Sequence, residues 1–427
     1  MLKSKKTYLI PILSFVIFII LGTFLLSLPV CNNVKLSFGD AFYTAVSGVT
    51  TAGFLKFPLG TQFNFLGQFV YAVLMEVGAL GFIIFVSYFW SIKNKKIKMS
   101  DIMVINDSMS NDNTASIKEH SIFVGKLMFS VQIIGAVLLA IRFVPLLGFF
   151  DGVWYGIFHA ISAFSNTGVD LFGNNGLRVF IDDFYVQFIL IILMLAGSIG
   201  VFVLEDIIEH RRFSKFKLQT KIVLFVSAIL IIIPTILFCV LDGCTLINGV
   251  FLSISARSTG FNMLNLPELT IETQIILMIL MFIGGSPAST AGGIKVISLA
   301  VIVATIISTL RGKEDTVIFW RRIPNYIVRM SFTIFTLFAI LLFISIMMFI
   351  NLENEMGMFN IVFHSIATIS NAGFAIVDPA QFTGINNIIM LILMFIGRIG
   401  PLSLVLIFVH KDETEKFVEY PEENVIL

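Results

Sequence analysis

Charged residues are scarce in this chain, because only 13% of its 427 residues are Asp, Glu, Lys or Arg and the net charge is +1. Cysteine is rarer still, and the spacing of Cys31, Cys239 and Cys244 fits neither a metal site nor a disulfide framework. With 57% hydrophobic residues and a mean hydropathy of +0.96, the composition excludes a soluble globular domain. We interpret the cysteines as ordinary small apolar residues.

Long apolar runs make up most of the sequence. The 45 Phe and 17 Met lie mainly in stretches that exceed the roughly 20 residues needed to cross a bilayer. The chain is therefore predicted to be a polytopic membrane protein, and the distribution of its charges carries more information than their sum.

Four short polar segments that end in glycine recur along this apolar chain, at 50–54, 165–169, 257–261 and 370–374. Each has a small or amide-bearing residue two positions before the glycine, Ala or Thr just before it, and Phe or Val after it. Backbone carbonyls in such turns can replace the hydration shell of a cation, since glycine adopts the required φ/ψ values at little cost. The pattern predicts a cation filter supplied by one chain, although four helix C-caps ending in glycine remain an alternative.

The predicted ion-binding residues of the filter are the members of these four turns. They are Thr50, Thr51, Ala52, Gly53, Asn166, Thr167, Gly168, Ser258, Thr259, Gly260, Asn371, Ala372 and Gly373. Backbone carbonyls of the residues before each glycine are expected to be the inner ligands.

Every turn has the same surroundings in the sequence. A long apolar helix is predicted near 7–30, 121–149, 218–241 and 325–351, and a short one at about 38–49, 152–164, 246–256 and 357–369. A second long helix is predicted to begin near 64, 180, 270 and 382. The short helices cannot span a bilayer, and a re-entrant turn is tolerated only within protein or along a wet cavity.

The predicted fold class is an all-α membrane protein with four repeats of helix, pore helix and helix around a central pore. It has eight transmembrane helices and four re-entrant loops. The expected divisions are repeat one at 1–91, a cytoplasmic loop at 92–119, repeat two at 120–212, repeat three at 213–322, repeat four at 323–412 and a cytoplasmic tail at 413–427.

The second long helices also carry glycines in phase with the turns. These are Gly78 and Gly81, Gly197 and Gly200, Gly284 and Gly285, and Gly397 and Gly400. Small residues allow close approach between helices or between a helix and a loop. Any one pair fits ordinary helix packing, but four pairs in phase indicate an internal repeat.

The second long helix of the third repeat is predicted to be broken. Its interruption consists of small and hydroxyl-bearing residues, namely Gly284, Gly285, Ser286, Pro287, Ala288, Ser289, Thr290, Ala291, Gly292 and Gly293. Such residues disrupt a helix and cannot face lipid with unpaired backbone groups. The segment is expected to line the water-filled half of the pore below the filter.

Several polar residues lie at predicted membrane depth. Arg398 is expected to bind loop carbonyls or hydroxyls, or Glu76, with a purely structural ion pair as the alternative. Arg257, three residues before Gly260, is expected to point behind the filter and donate to carbonyls or an acid. His159 and His364 each lie nine residues before a turn glycine, which favours bracing of the pore helices over proton coupling or a Ser-His enzyme.

Basic residues orient the predicted helices. They cluster at one side, as Lys3, Lys5, Lys6, Lys93, Lys95, Lys96, Lys98, Arg211, Arg212, Lys215, Lys217, Arg311, Lys313, Arg321, Arg322, Lys411 and Lys416. The filter side has only Lys35, Lys56, Arg142 and Arg178. By the positive-inside rule, both termini are expected to be cytoplasmic and the filters to open outward.

The chain resembles the Trk/Ktr/HKT superfamily of potassium transporters, and most of all the bacterial Ktr-type membrane subunit. The features that carry the resemblance are the four turns, the segment 257–262, the broken helix and Arg398. The resemblance covers about residues 8–412. It implies potassium uptake across the bacterial plasma membrane, with residues 284–293 as an intramembrane gate loop that acts with Arg398.

The resemblance also implies the assembly and the ion. It predicts a homodimer in membrane lipid with a cytosolic nucleotide-binding regulator of the RCK type, and neither a nucleic-acid partner nor a cofactor bound by this chain. In this superfamily a serine in the first turn accompanies sodium selectivity, and this chain has Gly53 there. Potassium is therefore the expected ion, with a sodium-preferring or sodium-coupled transporter as the alternative.

Overall fold

The computed structural model describes residues 2–92, 114–287, 289–350, 357–382 and 384–400. Most of the predicted cytoplasmic loop, the whole predicted tail and the loop residue Ala288 lie outside these ranges, as do the basic residues at 93–98 and at 411 and 416. Helices dominate the described chain, which fits the predicted class.

The first group of helices contains two long helices with two shorter ones between them. They are α1 (Leu2–Ser27), α2 (Phe38–Val49), the single-turn α3 (Leu59–Gln62) and α4 (Phe65–Ile92). The short α2 begins where the Ser37 hydroxyl accepts a hydrogen bond from the Asp40 amide at 3.1 Å. Such a cap satisfies an amide that has no partner within the helix.

The second group follows the same order with sharper bends. It consists of α5 (Thr114–Leu147), α6 (Phe149–Phe164), α7 (Phe184–Ile199) and α8 (Val201–His210). The short α6 begins earlier than the predicted residue 152, because Gly148, with φ of 89°, turns the chain directly after α5. Gly200, with φ of 88°, divides the predicted second long helix into α7 and α8.

The third group contains the predicted break. Its elements are α9 (Leu218–Leu241), α10 (Leu246–Ser255), α11 (Ile271–Phe282) and α12 (Val296–Leu310), followed by strands β1 (Val317–Ile318) and β2 (Arg321–Arg322). The two strands form an antiparallel hairpin that pairs Val317 with Arg322. Residues 283–295 separate α11 from α12, so the interruption predicted at 284–293 lies where the helix stops.

The fourth group returns to the simple order of the first. It comprises α13 (Asn325–Ile350), α14 (Met358–Ile369) and α15 (Ile385–Ile399). Gly400 has the same positive φ of 88° as Gly200, so α15 ends at a bend like the one that ends α7.

The core surrounds the short helices, and the long helices carry apolar side chains outward. Val49 and Ala367 on α2 and α14 are fully buried, whereas Phe24 on α1 and Ile232 on α9 are 61% and 57% exposed. Exposed Phe and Ile of this kind are suited to lipid rather than to water.

Within the described residues, three helices are long and apolar enough to cross a membrane: Gly125–Leu147, Leu218–Leu241 and Asn325–Ile350. A bent pair, Gly173–Phe180 with Phe184–Ile199, would be a fourth if counted as one span. The stretches of the other apolar helices that this count covers are shorter, among them Ile12–Ser27 in α1 and Phe65–Ala79 in α4. The number of eight transmembrane helices therefore stays a prediction.

Candidate functional site

The four glycine turns meet one another in the structure. A Cβ atom built on Gly53 would overlap the carbonyl oxygen of Thr167, and one on Gly168 would overlap that of Thr259. The corresponding atom on Gly260 would lie 2.6 Å from the Ala372 carbonyl, and that on Gly373 would lie 3.1 Å from the Ala52 carbonyl. The contacts run from turn one to two, three, four and back to one. We call this closed arrangement of the four glycines and four carbonyls the turn ring.

The backbone changes handedness within each turn. Thr50 is right-handed with φ of −80°, and the next residue, Thr51, is left-handed with φ of 52°. The residues at the position of Thr51 in the other turns, Asn166, Ser258 and Asn371, have φ of 53°, 78° and 51°. Alternation of handedness turns successive peptide groups toward the same side, which lines up their dipoles. Non-glycine residues hold this conformation only where their surroundings enforce it.

Three of the turns are fixed to their short helices by the same hydrogen bond. The amides of Ala52, Thr167 and Ala372 donate to carbonyls of Ser47, Ser162 and Ala367 at 2.9, 3.0 and 2.9 Å. The third turn differs, because the Thr259 amide donates to the carbonyl of Ser255, four residues before it instead of five, at 2.9 Å. The four turns are therefore close in geometry but not equivalent.

The residue that follows each glycine holds the turn against the core. Phe54, Val169, Phe261 and Phe374 are between 1% and 4% exposed. In two turns a serine hydroxyl adds a brace, because Ser162 Oγ donates to the Val169 carbonyl at 2.7 Å and Ser255 Oγ donates to the Phe261 carbonyl at 2.6 Å. Apolar side chains thus point away from the turn ring.

The short helices present their negative ends to the turn ring. The helices α2, α6, α10 and α14 end at Val49, Phe164, Ser255 and Ile369, a few residues before the turn glycines. A helix carries a partial negative charge at its C-terminus, roughly half an elementary charge. Four such ends converging on one ring of carbonyls favour a cation there and disfavour an anion.

Glycines of the long helices lie directly against these same helix ends. A Cβ on Gly78 would overlap the carbonyl of Val49, one on Gly197 that of Phe164, and one on Gly397 that of Ile369. Gly284, the corresponding residue of the third group, lies against Gly292 of the broken segment instead. The glycines expected to allow close approach do so in three groups, and the interruption fills the fourth position.

The interruption at 284–293, called here the loop, packs across to the second and fourth groups. The amides of Ser286 and Thr290 donate to the carbonyls of Ser198 and Gly197 at 3.0 and 3.2 Å. Its base is closed by a hydrogen bond from the Gly284 amide to the Ile294 carbonyl at 2.9 Å. A Cβ on Gly292 would overlap the Ser370 carbonyl beside the fourth turn. The loop therefore lies next to the turn ring.

Arg398 joins the loop to the first group. Its guanidinium donates to the carbonyl of Thr290 in the loop and to the carbonyl of Gly78 on α4. Among the partners predicted for Arg398 from the sequence, the one found in the structure is a loop carbonyl, that of Thr290. Glu76 has a different partner, since its Oε2 accepts a hydrogen bond from Gln132 Nε2 at 2.9 Å.

Arg257 lies behind the third turn. Its side chain is 2% exposed and donates to Ser227 Oγ at 3.2 Å and to the Gly284 carbonyl at 3.5 Å. The two partners lie on α9 and at the base of the loop, and neither is an acid. This position agrees with the prediction that the guanidinium avoids the turn ring.

Comparison with known proteins identifies the family. The family model described as "TrkH: Cation transport protein" matches residues 1–420. The chain belongs to the TrkH family of cation transport proteins. It is 32% identical to the Ktr system potassium uptake protein B of Bacillus subtilis, over 97% of this chain and 95% of the relative. It is 31% identical to the potassium/sodium uptake protein NtpJ of Enterococcus hirae, over 97% and 95%.

A solved structure has the same fold. The crystal structure of the potassium transporter TrkH from Vibrio parahaemolyticus aligns with a TM-score of 0.76 over 95% of this chain and 85% of that one, at 17% identity. The predicted resemblance and the all-α fold class are confirmed. The protein is membrane-integral, and its family is one of transporters rather than enzymes.

The two buried histidines serve the backbone. His159 Nδ1 lies 2.7 Å from the Tyr155 carbonyl, and its Nε2 accepts from the Leu171 amide at 3.4 Å. His364 Nε2 accepts from the Val377 amide at 3.0 Å. An imidazole nitrogen that accepts from an amide carries no proton. Both rings therefore connect a short helix to the segment after its turn, as the bracing interpretation predicts.

Two side-chain contacts of the loop were not predicted from the sequence. Lys295, two residues after the loop, donates from Nζ to the Ala291 carbonyl in the loop at 2.6 Å. A lone lysine inside an apolar run was the available signal for it. The side chain of Asn166 donates to Thr290 Oγ1 at 2.6 Å, although 124 residues separate the two in sequence. Spacing along the chain contains no signal for that contact.

Proposed function

We propose that this protein is the membrane subunit of a Ktr/Trk-type uptake system that carries K⁺ through the turn ring. The observation that supports the proposal most strongly is the closure of the ring, in which each turn glycine lies against a carbonyl of the next turn. Rings of backbone carbonyls are how proteins replace the hydration shell of K⁺. The potassium uptake named for the relative from Bacillus subtilis points to the same ion.

In this proposal the selectivity filter comprises the turn residues predicted from the sequence, with the carbonyls of Ala52, Thr167, Thr259 and Ala372 at its centre. The converging C-termini of the four short helices add a negative potential. Glycine at all four turns leaves no side chain between neighbouring carbonyls. A single chain thus supplies a filter that other channels collect from four subunits.

The loop, together with Arg398, is the proposed gate below the filter. Its small residues, its hydrogen bonds to Gly197 and Ser198, and the Arg398 contact with Thr290 hold it beside the turn ring. These bonds are few, and all of them connect to backbone groups or small side chains. A loop held in this way can move aside without unfolding a helix.

We further propose the divisions, orientation and assembly expected from the sequence. These are four repeats with the boundaries given above, cytoplasmic termini in the plasma membrane, a homodimer, and a cytosolic RCK-type nucleotide-binding regulator. The basic residues Arg211, Arg212, Lys215 and Lys217 after α8 are exposed and available to an acidic partner or to anionic lipid.

Sodium is the second candidate ion. The relative from Enterococcus hirae is named a potassium/sodium uptake protein, so Na⁺ transport or Na⁺ dependence merits a direct comparison. The glycine at position 53 favours K⁺, because a serine at this position accompanies sodium selectivity in the superfamily that the chain resembles.

Growth rescue and ion uptake test the proposal. The gene is expressed in a bacterial host without its own K⁺ uptake systems, and K⁺, Rb⁺ and Na⁺ uptake are measured against the empty host. We expect growth at low external K⁺ and uptake of K⁺ and Rb⁺ above Na⁺. Equal uptake of Na⁺ and K⁺ would favour the second candidate, and no uptake of any cation would contradict the proposal.

The regulator is tested with the purified protein in liposomes. We expect a low K⁺ flux from the protein alone, and a higher flux when a soluble RCK-type subunit and its nucleotide are added. A full flux from the protein alone, with no response to a partner, would contradict the assembly.

A further inference from the structure

We propose that the side chain of Asn166 couples the ion filter to the gate loop, so that the state of one changes the other. The inference rests on the proposed function of the turn ring and the loop. It concerns one hydrogen-bonded chain of side chains that leaves the ring, passes through Asn166 and reaches the loop.

The series of hydrogen-bonded side chains begins at Thr259. The carbonyl of Thr259 belongs to the turn ring, where it lies against Gly168, and its side chain is fully buried. Its hydroxyl donates to Asn166 Oδ1 at 2.6 Å. A change in the position of the Thr259 peptide therefore acts directly on the Asn166 amide.

The next bond enters the loop. Asn166 Nδ2 donates to Thr290 Oγ1 at 2.6 Å, and Thr290 Oγ1 donates its own proton to the Phe164 carbonyl at 3.0 Å. Since the Thr290 hydroxyl has one proton, it must accept from Asn166. The orientation of the Asn166 amide is fixed by both neighbours, with its oxygen toward the filter and its nitrogen toward the loop.

The series of hydrogen bonds continues to Arg398, the residue that holds the loop. The Thr290 carbonyl accepts from Arg398, which also donates to the Gly78 carbonyl on α4. Thr290 thus meets Asn166 through its side chain and Arg398 through its backbone. A shift of Asn166 reaches the Arg398 contact through a single residue.

The matching asparagine in the fourth turn makes a different contact. Asn371 Nδ2 donates to the Thr50 carbonyl of the first turn at 3.2 Å and so joins two turns to each other. Both asparagines are 1% exposed and have nearly the same φ. The contact with the loop is therefore a property of the position of Asn166 and not of asparagine in such a turn.

Buried polar chains of this kind transmit small shifts. Hydrogen bonds are stronger at low dielectric, and a displaced member leaves its neighbours without partners. Cation binding at the Thr259 carbonyl and release of the loop at Thr290 are then coupled through one amide. Coupling between two equilibria is reciprocal, so opening of the loop must change the affinity for the ion.

Near-isosteric variants test the coupling. Thr259→Val and Thr290→Val each remove one hydroxyl of the chain, and Asn166→Ala removes the link between them. We measure the K⁺ concentration that gives half of the thermal stabilisation of the purified protein, and the maximal rate and half-saturation of K⁺ uptake. These readouts separate ion affinity from gate opening.

We expect Thr290→Val to raise the maximal rate and also to change the half-saturating K⁺ concentration by about twofold or more, although Thr290 lies outside the filter. The fold-changes that Thr259→Val and Thr290→Val cause in the half-saturating K⁺ concentration should not multiply in the double variant. In an Asn166→Ala background, the effect of Thr290→Val on this concentration and the effect of Thr259→Val on the maximal rate should both disappear. A residue that only supports the fold would lower the amount of protein without such dependence.

Thr167→Val is the matched control. Thr167 occupies the position of Thr259 in the second turn, but its hydroxyl bonds to Ser165 within its own turn, at 2.7 Å. Its effect should multiply with that of Thr290→Val. If the Thr259 and Thr290 effects multiply as well, the coupling is wrong even though K⁺ transport stands. If the parent protein neither binds nor carries K⁺, the proposed function itself is wrong.

Discussion

The carbonyl oxygen of Ala52 lies 3.1 Å from the position that a Cβ atom on Gly373 would occupy. The same atom on Gly53 would overlap the Thr167 carbonyl outright. The four glycines of the turn ring therefore differ in how much room a side chain would have. This difference makes the assignment of the filter testable at two matched positions.

Gly373→Ser is expected to weaken discrimination against Na⁺ and to leave the protein folded, because backbone atoms of Ala52, Gly260 and Thr259 lie 3.1–3.3 Å from the added Cβ and need to move only slightly. A serine at φ of 69° adds backbone strain, so a lower stability is expected as well. Gly53→Ser is expected to weaken this discrimination further and to reduce transport, since it displaces the Thr167 carbonyl. Uptake of K⁺, Rb⁺ and Na⁺ is measured for both variants, with the amount of membrane protein determined by immunoblot. Unchanged ion preference in both would contradict the filter.

Arg398→Ala is expected to raise the maximal rate of K⁺ uptake with little change in ion preference. The substitution removes the guanidinium that links the Thr290 carbonyl to the Gly78 carbonyl, whereas the turn ring is the proposed site of ion preference. Arg398→Lys keeps the charge but cannot present two fixed donors, so an intermediate rate is expected. A slower, poorly inserted alanine variant would instead indicate that Arg398 is needed for folding.

Gly397→Ala is expected to destabilise the fold by about 1–3 kcal/mol, because the added methyl group overlaps the Ile369 carbonyl at the end of α14. Gly125→Ala is the matched control, since a Cβ there has nothing within 4 Å. Thermal unfolding of the purified variants in detergent gives the comparison. Equal melting temperatures for the two variants would show that α15 and α14 can separate at no cost.

His364→Leu is expected to cost about 1–3 kcal/mol of stability, because the Val377 amide loses its acceptor. Ion preference and the dependence of uptake on pH should be unchanged, because the His364 imidazole accepts a hydrogen bond from a backbone amide and carries no proton at Nε2. Thermal unfolding and K⁺ uptake are both measured from about pH 6 to about pH 8, a range that includes the pH at which a free histidine begins to lose its proton. A flattened pH profile in the variant would restore the proton-coupling interpretation.

Features that repeat in the sequence were predictable. The four turns and their short helices could be predicted because similar residues recur in phase, and such recurrence indicates that each copy forms the same structural unit. The bounds of α6 were less accurate, since Gly148 turns the chain earlier than the apolar pattern indicates. The loop was found because Gly and Pro interrupt an apolar run.

Features that occur once were harder to predict. The four-residue hydrogen bond from Thr259 to Ser255 in the third turn has no counterpart at this position in the other turns. The Asn166 contact with Thr290 and the pairing of Glu76 with Gln132 join residues far apart in sequence. Such contacts depend on how the groups of helices pack, which spacing along one chain does not specify.

The order of the turn ring along a single polypeptide has a further consequence. In an assembly of four identical chains, a guanidinium placed at the position of Arg257 or Arg398 would appear four times around the axis. Each buried charge costs about 2.5–3.5 kcal/mol at mid-bilayer depth, and four like charges would also repel one another and the permeating cation. Here each arginine is present once, so a single chain of four unlike turns can place one charged donor beside the turn ring without repeating that charge four times.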